Sequence, residues 1–259
     1  MKNKDIIIIA LVIAIPFLLI FIFWGGDREQ INTRVEEKNE KNLPYVKHYI
    51  HNPTECEHPD GIDLSHWNEA YDWSKVDVRF VYVRATFGCN VKDQRYEIHR
   101  DSAQSNNIPL GVYHFMTFKT SAKTQFNFFQ SVVEGTKFQL RPMLDVEEKS
   151  FKGMPKSFTD EQASKMVSDW CNLCREQYGK APIIYTTAKI YQRLKFSSNA
   201  FKDCLWWVAN YNNIRNYERK CTIPFTLRQY SDKKFVEGFY WHVDCNRFRT
   251  GKSLADIIL

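Results

Sequence analysis

The sequence predicts an α/β protein in which short strands close into a barrel, preceded by one transmembrane helix. Three features support this fold class. A long apolar segment lies near the N-terminus, a polar segment follows it, and residues 61–259 alternate short apolar runs with amphipathic stretches. Alternating strands and helices are typical of a parallel sheet with helices on its faces.

The apolar segment extends from Ile6 to Trp24 without a charged side chain. A helix needs about 20 apolar residues to cross the hydrocarbon core of a bilayer, so this segment is long enough. Residues 25–27 follow an aromatic run and lack the small-residue pattern of a signal-peptide cleavage site. We therefore expect residues 1–26 to be an uncleaved anchor that enters the membrane through residues 6–24. Residues 27–60 are polar and mixed in charge, which predicts a linker.

Eight apolar runs in residues 61–259, the predicted barrel domain, are expected to be strands. They are Gly61–Leu64, Phe80–Ala85, Leu110–Phe115, Pro142–Val146, Ile183–Thr186, Leu205–Ala209, Leu227–Tyr230 and His242–Cys245. Helical patterns lie between several of them, most clearly Thr159–Tyr178, which is followed by Gly179 as a stop signal. Eight strands in a domain of this length predict a small closed barrel. Because the late connections are short, the ring of helices should be incomplete there.

Composition and cysteine spacing argue against two classes of function. The formal net charge of +6 is compatible with an anionic partner such as a cell wall, but an ordinary soluble surface explains it better. The chain has no dense basic tract with interleaved aromatic residues, so nucleic-acid binding is not predicted. Cys171 and Cys174 form a C-x-x-C pair without a second ligand pair and lie within the helical pattern. We expect both to be core residues, with no metal and no cofactor.

Acidic residues recur at the ends of the predicted strands. Asp63 ends the first strand, Asp145 and Glu147 end the fourth, and Asp244 lies near the end of the eighth. A single acidic residue after a strand is usually a helix cap. The strands of a parallel barrel, however, all end at one face, where active sites form. Four carboxyl groups at that face predict a catalytic site.

The triplet Asp145-Val146-Glu147 is the most specific of these features. On an extended backbone, residues i and i+2 point to the same side of the strand. With a rise of about 3.3 Å per residue, the two side chains start about 7 Å apart. Glycoside hydrolysis needs two carboxyl groups in this range, one of them a proton donor. Alone, a D-x-E triplet is weak evidence, because it is frequent by chance.

Six segments of the chain strengthen this interpretation by their order. They are GIDLSHW (61–67), GVYHF (111–115), PMLDVE (142–147), LWWVANY (205–211), RQYSD (228–232) and VDCNRF (243–248). Together they resemble glycoside hydrolase family 25, the lysozymes of the Chalaropsis type, over about residues 60 to 250. The resemblance implies an irregular TIM-like (β/α)5(β)3 barrel. It also implies a muramidase that cuts the β-1,4 bond between N-acetylmuramic acid and N-acetylglucosamine in the glycan strands of peptidoglycan, without a metal.

The resemblance also implies roles for individual residues. Glu147 corresponds to the general acid, and Asp145 to a residue that holds the acetamido group of the substrate or stabilises charge at the sugar carbon. Asp63 and Asp244 match the other two acidic positions of the family's cleft. The resemblance further implies sugar contacts at five residues, which are Tyr113, His114, Trp207, Tyr211 and Gln229. For Tyr113 and Trp207 the alternative is a simple place among the core aromatics.

The chain departs from the family's pattern at three positions. Arg84 and Phe87 stand where the family commonly has Lys and Glu, and Cys245 stands where an aliphatic residue is more frequent. None of these changes affects the four acidic residues. They bear instead on the contacts with substrate.

Two other functions compete with an active muramidase. The first is a catalytically weak peptidoglycan-binding module on the same barrel, against which the presence of all four acids argues. The second is a chitinase-like barrel, whose longer acidic signature is matched only at its terminal D-x-E. A turbidity assay on purified peptidoglycan discriminates between the first alternative and an enzyme.

Two further expectations follow from a muramidase. The protein should be a single-pass membrane protein with its catalytic domain on the extracytoplasmic side, where peptidoglycan lies. Glu147 should hold its proton above the ordinary pKa of about 4.3. The expected cause is the crowding of Asp63, Asp145 and Asp244 in a partly dry cleft.

Overall fold

The computed structural model describes residues 56–212 and 214–259, which form a closed barrel of mixed strand direction. Its strands are β1 (Gly61–Leu64), β2 (Phe80–Phe87), β3 (Val91–Lys92), β4 (Leu110–Phe115), β5 (Met143–Val146), β6 (Ile183–Thr187), β7 (Leu205–Ala209), β8 (Leu227–Lys234) and β9 (Val243–Phe248). The sheet order is β1-β9-β8-β7-β6-β5-β4-β2-β3, and β1 also pairs with β2. Eight strands therefore close the barrel, while β3 is a short partner at the end of β2.

All eight predicted strands are confirmed within a few residues, but the direction of the last one is not. The pairs from β1 to β8 around the barrel are parallel, whereas β9 runs antiparallel to both β8 and β1. A parallel return would need a crossover of a dozen or more residues. Only residues 235–242 connect β8 to β9, and they contain no helix. The expectation of a wholly parallel barrel is thus wrong at this strand.

Helices cover the outside of the barrel over its first part. They are α1 (Tyr96–Ser105), α2 (Ala122–Val133), α3 (Asp160–Tyr178), α4 (Ala188–Arg193), α5 (Ile214–Lys220) and α6 (Leu254–Ile257). The first five each lie between two barrel strands, from β2 through to β8. The β1–β2 connection has only a 3-10 turn at Trp73–Lys75, and the β8–β9 connection has no helix. The predicted gap in the helix ring is therefore confirmed.

The longest helix of the described residues, α3, begins and ends where its sequence predicts. The Thr159 hydroxyl accepts a hydrogen bond from the Gln162 N–H at 3.2 Å, and the Gln162 side-chain oxygen accepts one from the Thr159 N–H at 2.8 Å. This reciprocal capping satisfies two amide groups that the first turn leaves unpaired. Gly179 ends the helix with φ 73°, a left-handed conformation that glycine adopts without a steric penalty.

The inside of the barrel is filled by aromatic side chains. Phe80, Tyr82 and Trp207 are completely buried there, with ring centroids 5.1 to 6.2 Å apart. Gly61 and Gly111 make room for them, because a Cβ atom on either would collide with the ring of Phe80 or Tyr82. The filled interior confines any ligand to the ends of the barrel.

A second apolar layer lies between the barrel wall and the helices. Trp206 belongs to this layer, while its neighbour Trp207 faces the barrel interior. Cys171 and Cys174 are buried on the inner side of α3, as predicted. The Cys171 Sγ lies 3.8 Å from the Cys204 Sγ, and burial raises the pKa of the Cys171 thiol well above its usual range. A thiol with a raised pKa is a poor nucleophile and metal ligand.

Contacts with the barrel begin before residue 61, the predicted boundary between the linker and the barrel. The N–H of Glu57 donates to the carbonyl of Phe235 at 2.7 Å, and the Asp60 carboxylate pairs with Arg79 at 3.1 Å. The part of the linker that the structure describes is therefore packed on the barrel. No helix within residues 56–212 and 214–259 is long and apolar enough to cross a membrane. The predicted anchor, Ile6–Trp24, lies outside the described residues.

Candidate active site

The parallel strands end at one mouth of the barrel, where the acidic residues converge. Asp145 and Glu147 lie at the end of β5 and alternate with Val146, which points to the outer layer. Asp63 on β1 and Asp244 on β9 are directly opposite each other in the antiparallel register. Asp244 was predicted near the carboxyl end of a parallel strand. It instead lies near the amino end of an antiparallel one, which reaches the same mouth.

Asp63 is held as an anion by two side-chain amides. The Gln229 Nε2 donates to both carboxylate oxygens at 3.1 Å, and the Asn246 Nδ2 donates to one of them at 2.7 Å. Burial raises the pKa of Asp63 to about 6, while these amide hydrogen bonds limit the rise. The carboxyl therefore ionises near neutrality within a buried site.

Further hydrogen bonds fix the orientation of both amides. The hydroxyls of Tyr185 and Tyr211 donate to the Gln229 Oε1 at 2.9 and 2.8 Å. The Trp207 indole N–H donates to the Asn246 Oδ1 at 2.9 Å. With each amide oxygen engaged by a donor, each amide nitrogen must point at Asp63. Sequence analysis missed Tyr185 and Asn246, although Asn246 lies two residues after Asp244 and so shares its face of the strand.

Asp145 is buried beside these groups without a complete set of partners. Its side chain is 8% exposed, and its Oδ1 has no hydrogen-bond partner. Burial is the main cause that raises the pKa of Asp145 well above its usual range. The charges of Glu147 and Asp63 add to the rise, while Arg84 opposes it. The carboxyl therefore keeps its proton more readily than a free aspartic acid does, and one of its oxygens is available to a ligand.

Glu147 lies between the end of β5 and the 3-10 turn that follows it. Its backbone N–H donates to the Ser150 Oγ at 3.1 Å, and its carbonyl accepts from the Ser150 N–H at 3.0 Å. Burial raises the pKa of the Glu147 carboxyl. Lys149, whose Nζ is 3.9 Å from Oε1, opposes the rise, and Glu148 adds to it. The direction agrees with the prediction, but burial is the leading cause rather than carboxylate crowding.

Asp244 is buried among several acidic neighbours. Burial raises its pKa to about 8, and the charges of Asp63, Asp232 and Glu147 contribute to that rise. Asp244 is therefore protonated at neutral pH. The four acids thus have different protonation equilibria, which is how a site with two carboxyl roles separates donor from anion.

Four of the five predicted sugar-contact residues lie at the mouth or in the barrel interior beneath it. Tyr211, 53% exposed, and the buried Gln229 lie at the mouth and are linked by a hydrogen bond. Tyr113 faces inward beneath the acids, and the charges of Arg84, Asp63 and Asp145 act on its phenol. Trp207 lies fully buried below Asn246, so it supports the mouth rather than lining it.

His114 does not face the cleft, and its predicted role in sugar contact is corrected. It lies on the outer side of β4 and is completely buried. Its ring bonds the Thr86 Oγ1 at 2.7 Å and the Gln125 Oε1 at 3.1 Å, and it stacks on Trp170 of α3. Side chains alternate along a strand, so His114 must point away from the side that Tyr113 occupies. Its role is to join the barrel wall to the helices.

An ion pair that the sequence did not reveal lines one wall of the mouth. Arg84 points inward from β2 and bonds Asp93, whose side chain is fully buried, at 2.7 Å. Arg84 also contacts the Nδ1 of His66, whose ring lies 4.3 Å from that of Trp67. The pair fixes a cation near Asp145. Within the described residues, no group of three or more His, Cys, Asp or Glu side chains is arranged to hold a metal ion.

A closed barrel with two inward carboxyls at one strand end and two more beside them has the arrangement expected of a glycoside hydrolase. Comparison with known families identifies the family. The chain belongs to the glycosyl hydrolases family 25, whose model matches residues 62–239.

Individual relatives agree with this assignment. The chain is 28% identical to lysozyme M1 of Streptomyces globisporus over 76% of its length and 69% of that protein. It is 29% identical to the uncharacterized protein YegX of Escherichia coli K12 over 73% of the chain and 68% of that protein. A solved bacterial lysozyme from Streptomyces coelicolor superposes with a TM-score of 0.66 at 27% identity, covering 78% of this chain and 95% of the other.

Proposed function

We propose that this chain is a muramidase that hydrolyses the β-1,4 bond between N-acetylmuramic acid and N-acetylglucosamine in peptidoglycan. The observation that carries the proposal is the pair Asp145 and Glu147 at the end of β5, both with a raised pKa. Membership in the family and the similarity to lysozyme M1 support the same reaction.

In the proposed reaction, Glu147 is the proton donor. Its carboxyl gives a proton to the glycosidic oxygen while the bond from that oxygen to the sugar carbon breaks. Asp145, two residues earlier on the same face, hydrogen-bonds the acetamido group next to that carbon. The positive charge that develops on the sugar is stabilised by ionised Asp63, which Gln229 and Asn246 hold in place. Water supplies the new hydroxyl and restores the proton of Glu147.

The glycan lies across the mouth of the barrel in this proposal. Tyr211 and Gln229 form one wall, and Tyr113 lies at the floor beneath the acids. Asp244, protonated below a pH of about 8, donates a hydrogen bond to the substrate rather than repelling it.

The test of the proton donor is Glu147→Gln, which keeps the shape of the side chain and removes its acidic proton. We expect the variant to lose on the order of 100- to 10,000-fold in turnover of purified peptidoglycan, the range that general acid catalysis contributes. An activated aryl glycoside, whose leaving group needs no proton, should be turned over with a much smaller loss. Mass spectrometry of the products from digested sacculi identifies the bond that is cut.

Glu148→Gln is the matched control, because it changes the neighbouring glutamate, whose carboxylate accepts a hydrogen bond from Thr187 instead. It should keep most of the activity. Equal losses of the Glu147→Gln variant on both substrates would show that Glu147 is not the acid. Binding of sacculi by the wild type without any release of reducing ends would favour the alternative of a wall-binding module.

We also propose that residues 6–24 anchor the protein in the cytoplasmic membrane and that the barrel lies on the extracytoplasmic side. The apolar segment and the site of peptidoglycan support this arrangement. Residues 27 to about 56 would then connect the anchor to the barrel. Alkaline extraction of membranes followed by N-terminal sequencing tests it. A mature protein that is released by the extraction, or that begins after Trp24, would contradict the anchor.

A further inference from the structure

Two stacked phenylalanine rings lie at the mouth of the barrel on β4 and β2, the first and second strands from Asp145 across the sheet. Phe87 ends β2 and Phe115 ends β4, and their ring centroids are 4.7 Å apart with the planes inclined by 19°. In the strand register, Phe87 is the partner of Phe115, and Phe115 is the partner of Asp145. Cross-strand partners share a face of the sheet, so both rings lie on the same side as the Asp145 carboxyl.

An irregularity in β2 turns Phe87 to this side. The register of β2 against β4 shifts between Arg84 and Thr86. Ala85 packs into the outer layer, and Thr86 hydrogen-bonds His114 on the same outer side. With two consecutive residues pointing outward, as a bulge permits, Phe87 returns to the inner side.

The backbone around Phe87 is held from both directions. The Gly88 N–H donates to the carbonyl of Phe115 at 3.0 Å, with Gly88 at φ 58°. Val91 of β3 then pairs with Phe87 from the other side. The ring is therefore fixed over Phe115 before any ligand arrives.

The pair offers an apolar surface next to an unsatisfied polar atom. Phe115 is 5% exposed and supports one face of Phe87, which is itself 39% exposed. Asp145 Oδ1 is buried without a hydrogen-bond partner. A complementary ligand group has an N–H or O–H for the carboxyl and an apolar group next to it. The acetamido group of an N-acetylated sugar has this composition, with an amide N–H close to a methyl group.

We propose that Phe87, supported by Phe115, packs against the acetamido methyl of the sugar held at Asp145 and makes the enzyme selective for N-acetylated glycan. The proposal rests on the muramidase function and deepens it. A de-N-acetylated sugar lacks the methyl group that would contact the Phe87 ring, and it places an ammonium group near the fixed cation of Arg84, which repels it. The carboxylate that the family resemblance led us to expect at position 87 would instead attract that ammonium.

The experiment compares Phe87→Ala and Phe87→Glu with the wild type on two soluble glycan preparations. One is N-acetylated, and the other is the same material after chemical de-N-acetylation. Kd is measured by calorimetry with Glu147→Gln in every protein, so that no fragment is cut. KM and kcat are measured in proteins that retain Glu147.

We expect Phe87→Ala to raise Kd and KM for the N-acetylated glycan by about tenfold, the low end for loss of one methyl contact in an apolar pocket. Its kcat should stay within about twofold, and its Kd for the de-N-acetylated glycan should not rise. Phe87→Glu should also bind the de-N-acetylated glycan more tightly than the wild type does. Re-acetylating that glycan should restore the wild-type preference.

Two control variants separate the ring from other effects. Phe87→Tyr keeps the ring and should behave like the wild type. Ile98→Ala removes an exposed apolar side chain from α1, away from the mouth, and should change no Kd. Thermal unfolding checks that each variant is folded. If Phe87→Ala fails to fold, the comparison of Phe87→Glu with Phe87→Tyr decides.

An unchanged Kd for N-acetylated glycan, or an equal rise for both glycans, would overturn the proposal. The binding measurement does not need turnover. A wild type that prefers N-acetylated glycan through Phe87 but releases no reducing ends would therefore refute the muramidase and leave the binding site intact.

Discussion

The substitution Asp244→Asn tests the electrostatics of the mouth through stability. Asp244 lies opposite Asp63 on the neighbouring strand, and burial with repulsion from nearby carboxylates raises its pKa from 3.8 to about 8. Each pH unit of such a rise corresponds to about 1.4 kcal/mol. Ionising Asp244 therefore costs the native state on the order of 5 kcal/mol. An amide of the same shape avoids that cost.

The sign of the pH dependence follows from proton linkage. Between pH 3.8 and about 8 the native state binds the Asp244 proton and the unfolded state does not. The contribution of this group to stability is therefore fully present below pH 3.8, and it is lost as pH rises to about 8. We expect the free energy of unfolding of Asp244→Asn to match that of the wild type near pH 4. Above pH 8 the variant should be more stable by several kcal/mol.

Urea denaturation followed by tryptophan fluorescence measures this difference at a series of pH values. Asp101→Asn is the control, because Asp101 is exposed and its pKa is lowered by Arg100. That variant should show no gain at high pH. The reasoning would be refuted if the difference in free energy of unfolding between the wild type and Asp244→Asn did not change with pH. It would also be refuted if the variant were the less stable protein above pH 8, because ionised Asp244 would then not destabilise the native state. Loss of turnover in the more stable variant is expected, because an amide is a different hydrogen-bond partner for the substrate.

Two other predictions concern single side chains. Asn246→Leu removes the amide that donates to Asp63 at 2.7 Å and leaves the Trp207 N–H unpaired, so the pKa of Asp63 should rise above about 6. The acid limb of the pH–rate profile should then move to higher pH. A limb that does not move would show that catalysis does not depend on the ionisation of Asp63. His114→Leu should leave KM unchanged and lower the free energy of unfolding by about 2–4 kcal/mol at pH 7, because two buried hydrogen bonds are lost. Since burial lowers the pKa of His114 to about 4, the loss should shrink below pH 6.5, the ordinary pKa of histidine. A raised KM in this variant would reinstate His114 as a sugar contact.

The strands could be located from sequence because barrel strands are buried on both sides. Strands such as β4 and β5 are buried at every position and therefore appear in the sequence as short, mainly apolar runs. The capping residues of α3 were equally visible, since hydrogen bonds within one turn are local in sequence. The direction of β9 was not visible, because a period of two reads the same in both directions.

The site residues show the same division between local and non-local information. Asp145 and Glu147 could be placed on one side of a strand from their spacing alone. Trp207 points inward and His114 outward according to which face of each strand meets the barrel interior. When both faces of a strand are apolar, the sequence does not show which face that is. The amide of Asn246 was missed because its importance comes from Asp63, which is distant in sequence and near only after the barrel closes.

The surroundings of the four acids separate groups that are chemically almost the same. Asp63 has two amide donors and a pKa of about 6. Asp244, which no side-chain donor within the described part of the chain hydrogen-bonds, has a pKa of about 8. The amides stabilise charge on Asp63, so the negative charge of the mouth concentrates there, and that charge in turn raises the pKa of Asp145 and Asp244. Because ionised Asp63 and protonated Asp244 then coexist at neutral pH, the mouth can stabilise positive charge on a sugar and still donate a hydrogen bond. Burial raises the pKa of all four acids, and the hydrogen bonds from Gln229 and Asn246 distinguish Asp63 by limiting that rise.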